Sequence, residues 1–253
     1  MIALEDGGRE NRLNQLLAEA ADCDSKNILD YDLCLFDLQP PTLGGMDREF
    51  VFAPRMDNQA SCYTALEALR ALDADTNSTS VVVLFDHEEC GSNSERGAAS
   101  GLLRNVLARL ERDYEQRAPG GMERATAASF LVSIDMAHGI HPNYSDKHDP
   151  QHKPRLNGGP VIKTNVNMRY ATDAEVGARF RAACAAEKIP VQDFVNRSDL
   201  ACGSTIGPIS ATQLAVRTID VGSAMLSMHS IREQGGSQDV PWMTQALLRI
   251  LQD

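Results

Sequence analysis

Residues 81–86 read VVVLFD, a continuous apolar and β-branched run that ends on a carboxylate. A run of this kind fits a strand covered on both faces, and such strands belong to sheets flanked by helices. FLVSID (130–135) has the same character, and EFVFAP (49–54), PVIKTNVNM (160–168), VQDFV (191–195) and AVRTIDV (215–221) supply further strand segments. Between them, residues 58–72, 98–115, 173–187 and 239–251 carry apolar residues at three-to-four spacing, and a shorter helix is expected after Gly203. Strands alternating with helices of this length predict an α/β fold: a mixed, mainly parallel sheet covered by helices on both faces. Ahead of this pattern, residues 9–21 place Leu13, Leu16, Leu17 and Ala20 on one side of a helix, and YDLCLFDL (31–38) alternates like a half-buried strand. Pro40-Pro41 and Gly44-Gly45 then mark a boundary, which divides the chain into residues 1–45 and 46–253.

In open sheets of this class, ligands bind beyond the carboxyl ends of the strands. Three acidic positions fall there: Asp57 after FAPRM, Glu88 and Glu89 after VVVLFDH, and Asp135 at the close of FLVSID. A single strand-end Asp reads equally as a helix cap or turn former. Several buried acids in one sheet ask instead for a shared cation or for ion pairs, because an uncompensated buried charge costs several kcal/mol. Adjacent side chains at a strand end point in different directions, so one of Glu88 and Glu89 can bind a metal while the other serves as a base. The alternative for the pair is a solvated acidic turn. His229, in MLSMHSIRE after a turn at Gly222-Ser223, can bring an imidazole to the same edge, or can be a packed core residue. Carboxylates with one imidazole suit zinc, manganese or cobalt.

The stretches APRMDN, FDHEECGSNSERGA, SIDMAHGIHPNYSDKHDP, GPVIKTN, CGSTIGPI and DVGSAMLSMHSIRE together resemble the aspartyl aminopeptidase family of co-catalytic zinc exopeptidases, in order and from about residue 30 onward. The resemblance implies two zinc ions and release of N-terminal Asp or Glu from peptides by a large homo-oligomer, commonly a dodecamer. By the same resemblance Asp57 bridges the two ions, Glu89 and His229 complete one site, Asp135 holds the other, and Glu88 is the general base. Lys163 is the candidate cation for an acidic substrate side chain. His138 orients a ligand or touches substrate, and Gly203 belongs to a turn whose backbone N–H groups can face a carboxylate. His141, His148 and His152 fall in an irregular, Pro-broken stretch and read as a solvated loop or subunit contact.

The pattern also departs from the family. No His-x-Asp motif occurs, although the family takes from one the histidine that shares a zinc with Asp135. By the same resemblance, residues 1–45 would correspond to the tail of a dimerisation-type subdomain and residues 46–253 to an incomplete catalytic domain. A non-catalytic or truncated member with a structural role therefore stands as the alternative to an active enzyme. The net charge of −11 argues against a nucleic-acid partner. No spanning segment, no signal peptide and no CxxC pair appear, which is the expectation for a cytoplasmic protein away from membranes, its six cysteines reduced and mostly buried. Serine-hydrolase, HExxH and nucleotide-loop motifs are absent.

Overall fold

The computed structural model describes residues 9–73, 76, 78–113 and 119–253. It contains two compact units, Met1–Phe36 and Asp37–Asp253. In the first, α1 (Arg9–Ala21) follows the predicted helix, and a 3-10 turn at Ser25–Asn27 is capped by Asp24, whose carboxylate accepts from the Lys26 N–H at 3.3 Å. The strand expected at 31–38 is not formed. These residues form no ladder among those described, and Leu33, Leu35 and Leu38 stand exposed.

The second unit holds two sheets. The first is ordered β1-β2-β9-β8-β4, from β1 (Thr42–Gly44), β2 (Phe50–Ala53), β4 (Ala137–His138), β8 (Ala224–Leu226) and β9 (Glu233–Gly236). The second is ordered β3-β7-β5-β6, from β3 (Phe130–Ile134), β5 (Val161–Thr164), β6 (Gln192–Val195) and β7 (Arg217–Gly222). Parallel pairs (β3 with β7, β4 with β8, β5 with β6) mix with antiparallel ones, so the expected single, mainly parallel sheet is corrected to two mixed sheets. Periodicity locates strands, but their direction and partner are set by long-range hydrogen bonds that periodicity does not encode.

Helices do cover both faces of the second sheet. On one side pack α2 (Met56–Ala71), α5 (Ala174–Ala186) and α7 (Asp239–Gln252): Ala68, Phe180, Cys184, Met243, Leu247 and Ile250 close over Ile162, Ile219 and Val221. The spacing of Met243, Ala246, Leu247 and Ile250 makes one helical stripe. Phe180 is fully buried, which contributes about 2–3 kcal/mol. Asp173 caps α5 by accepting from the Val176 N–H at 3.0 Å. On the opposite face α3 (Leu102–Asp113) and α6 (Ile206–Leu214) bury Leu103 and Leu214 with Val216 and Leu131. Residues 114 and 115, the end of the expected helix 98–115, lie outside the described residues. The helix α4 (Gly121–Ala128) leads into β3 and was not foreseen.

Residues 81–86 depart furthest from expectation. They run without a ladder partner among the described residues, with Val83 and Phe85 packed on the α3–α6 cluster while Val81 and Leu84 are exposed. The segment is half-buried rather than covered on both faces. The cysteine expectation is also corrected: all six are free thiols, but only Cys184 is buried, and Cys23, Cys34 and Cys90 are exposed. No helix among the described residues is long and apolar enough to cross a membrane.

Candidate metal centre

The site grows from the place where two neighbouring strands pass together from one sheet into the other. β3 and β7 pair in the second sheet and their continuations β4 and β8 pair in the first. The ladder is unbroken between them: Asp135 N–H donates to Val221 at 3.0 Å, Ala137 to Ser223 at 2.9 Å and Gly139 to Met225 at 2.8 Å. Gly222 is therefore the end of a strand and not the turn expected from sequence. A Cβ there would lie 1.8 Å from the Asp135 carbonyl oxygen, so only glycine lets the strands stay this close.

Two side chains fix Asp135 at this crossing. Asn58 donates its amide N–H groups to Ile134 O at 3.1 Å and Asp135 Oδ1 at 3.0 Å. Lys163, on β5 and almost fully buried, donates from Nζ to Asp135 O at 3.0 Å, Asp135 Oδ2 at 3.3 Å and Met136 O at 3.1 Å. Its ammonium also lies 5.3 Å from the centre of the Tyr170 ring. Sequence reading took Lys163 as a cation facing substrate; in the structure all three of its donors are engaged by the Asp135–Met136 segment.

Asp57 stands in the first turn of α2, whose N-cap Arg55 is left-handed and offers no side-chain cap. Its carboxylate oxygen Oδ2 is 3.2 Å from His229 Nε2, which is in turn 3.1 Å from Glu89 Oε2. Ligand atoms of Asp57, Glu89 and His229 all fall within 4.8 Å of one another. His229 reaches the position from the β8–β9 connection with a φ of 65°. Glu88 and Glu89 sit on a compact turn closed by Gly91 N–H to Glu88 O and Ser92 N–H to His87 O, both at 2.8 Å.

Charge accumulates here. Burial raises the Asp57 carboxyl well above the ordinary range, and the neighbouring carboxylates of Asp135, Glu89 and Glu233 push it further. Glu88 is pushed up to about 7 by burial and by Asp135 and Glu89, against the opposing pull of Lys163 and His229. His138, at the end of β4, is held below the usual histidine range by desolvation and by His148 and Lys163. A divalent cation relieves such an excess of negative charge. Two carboxylate oxygens and an imidazole nitrogen converging at one point are a donor set suited to zinc, so these residues fit that metal.

Asp57, Glu88, Glu89, Asp135 and His229 thus come together from four separate segments, with Lys163 and His138 beside them. Gly203 has open space around it, and no hydrogen bond among the described residues ties it to the cluster. His148, expected in a solvated loop or subunit contact, is buried within the chain, with Nε2 3.2 Å from His138 O and its ring edge-on to Phe194. Two residues escaped sequence reading. Asn58 directly follows Asp57, and Glu233 follows His229 by one helical-turn spacing in SMHSIRE; neither shows its role until the strands are paired.

The family model described as aminopeptidase I zinc metalloprotease (M18) matches residues 5–249. A probable M18 family aminopeptidase 2 of Pseudomonas entomophila is 48% identical over 235 residues, which cover 93% of this chain and 53% of that protein. Among solved structures, Ape4 in its complex with Nbr1 superposes with a TM-score of 0.89 at 38% identity, over 99% of this chain and 51% of that one. The S. cerevisiae mApe1 dodecamer gives 0.83 at 32% identity, over 95% and 54%. The chain spans about half the length of the relatives it matches. With the family model matched along nearly all of its length and close to half its residues shared with a member, the chain belongs to the M18 family of aminopeptidase I zinc metalloproteases.

Proposed function

We propose that this chain carries the catalytic centre of an aminopeptidase that releases N-terminal Asp or Glu from peptides with two zinc ions, manganese or cobalt being able to substitute. The observation that carries the reading is the convergence of Asp57, Glu89 and His229 with Glu88 at the same edge. Asp57 would bridge the ions, Glu89 and His229 would complete one site, and Asp135 would hold the other. When bound, zinc supplies Lewis acidity, which acidifies water and polarises a carbonyl. Glu88 takes the proton of the attacking water and passes it to the departing amine, a role suited to a carboxyl held near neutrality by burial and its neighbours.

Lys163, its three donors held by the Asp135–Met136 segment, acts on the acidic side chain of the substrate through its charge alone, His138 orients a ligand or touches substrate, and the turn at Gly203 offers backbone N–H groups to a carboxylate. The reading extends to a homo-oligomer, a dodecamer, working in the cytoplasm; what supports the oligomer is likeness to mApe1, solved as a dodecamer. A non-catalytic member with a structural role is the second reading. It is favoured by one feature: the hydrogen-bonded partners of the Asp135 side chain are Asn58 and Lys163, with no histidine among the described residues bonded to it.

Zinc content of the purified protein, measured beside hydrolysis of peptides that begin with Asp, Glu or Leu, decides between them. Bound zinc with turnover that favours Asp and Glu supports the enzyme. Folded protein without zinc or turnover supports the structural reading, and turnover without acidic preference removes the specificity alone.

A further inference from the structure

Glu233 opens β9 opposite Ala53 of β2, so it stands where the chain entering Asp57 and the chain leaving His229 meet. Its side chain is almost wholly buried. Oε2 accepts the backbone N–H of Asp57 at 3.1 Å, and Oε1 accepts that of His229 at 2.7 Å. The backbone at Asp57 (φ −80°, ψ 104°) is not helical, so this amide has no place in the hydrogen-bond ladder of α2 and takes Glu233 as its acceptor. A buried negative charge next to Asp57, Asp135 and Glu89 is unfavourable in itself, and Glu233 is one of the charges that raise the Asp57 carboxyl. A neutral cap would hold an amide without that cost. Among side chains only a carboxylate offers two separate acceptor oxygens, one for each of these amides.

We propose that Glu233 is the positioning residue of the metal centre, its two oxygens setting the backbones of Asp57 and His229 at the separation their side chains need to share one cation. The inference rests on the zinc reading above and assigns Glu233 no contact with the metal or substrate. Partners that orient metal ligands are worth about 10–100-fold in metal affinity.

The test uses purified protein carrying Glu233→Gln, which keeps the shape but offers one acceptor, and Glu233→Asp, which keeps the charge but is too short to reach both amides. Asp239→Asn is the control, because Asp239 is another buried acid that accepts two backbone N–H groups, from Asn157 at 2.7 Å and Gly159 at 2.9 Å, without touching a ligand residue. Zinc affinity is read by chelator competition, ligand geometry by the visible spectrum of the cobalt-loaded protein, and folding by metal-free melting. Both Glu233 variants are expected to lose about 10–100-fold in zinc affinity and to shift the cobalt bands, while Asp239→Asn lowers the melting temperature and leaves both unchanged. Retained affinity in Glu233→Asp means charge alone matters and overturns the proposal. Equal losses in all three variants, or loss of fold in both Glu233 variants, reduce Glu233 to a structural residue. Zinc binding absent from the unsubstituted protein overturns the metal reading and this inference with it.

Discussion

Glu233 and Asp239 flank the same strand, one as the first residue of β9 and the other just past its last, and both are buried carboxylates holding pairs of backbone amides. At Asp239 the amides belong to the 157–159 turn, and a Cβ on Gly236 would lie 2.4 Å from the carboxylate, so the strand end is built tightly around it. At Glu233 the amides belong to two candidate ligands, Asp57 with its side chain largely covered and His229 with its side chain largely exposed. The same bond pattern therefore serves packing at one end of the strand and geometry at the other. What differs is not the chemistry of the clamp but what its partners carry on their side chains.

Substitutions at the two ends should therefore separate function from stability. The largest effect is expected from Asp57→Ala, which removes the carboxylate common to both proposed zinc sites; zinc retained through dialysis and turnover should both disappear, while metal-free melting persists. Glu88→Gln should lower kcat by about 10²–10⁴-fold with zinc content unchanged, because it removes a proton acceptor and no ligand. Equal loss of zinc in that variant would make Glu88 a ligand and blur the division of labour between the two adjacent acids. At the other end, Asp239→Ala leaves two backbone N–H groups without an acceptor, and denaturant titration should show a loss of about 2–4 kcal/mol with zinc affinity unaltered. A change in affinity there would mean that the two ends of β9 are coupled. Lys163→Met should narrow the preference for N-terminal Asp over Leu by about 10-fold in kcat/KM, through loss of a nearby positive charge and not of a hydrogen bond to substrate. An unchanged ratio would leave Lys163 as the partner of Asp135 alone.

Much of this was legible in residue order. Most helices and strands of the second unit follow from periodicity, and Asp57, Glu88, Glu89 and Asp135 were marked by standing at the ends of apolar runs. Residues 81–86 show where such reading stops. Their composition is that of a central strand, yet strand identity requires a neighbour to bond with, and among the described residues they have none. Residues 31–38 repeat the lesson with alternation in place of a continuous run.

By itself the sequence determined the α/β class, the cores of the helices and the acids that follow apolar runs, because these depend on local periodicity and on the chemistry of single residues. Only the tertiary structure decided that two mixed sheets share a crossing at Asp135, that Lys163 spends its donors there, that His148 is buried and that Glu233 joins the backbones of Asp57 and His229. Each of those depends on hydrogen bonds between distant segments, whose partners are chosen by how the strands pair and not by the residues that flank them.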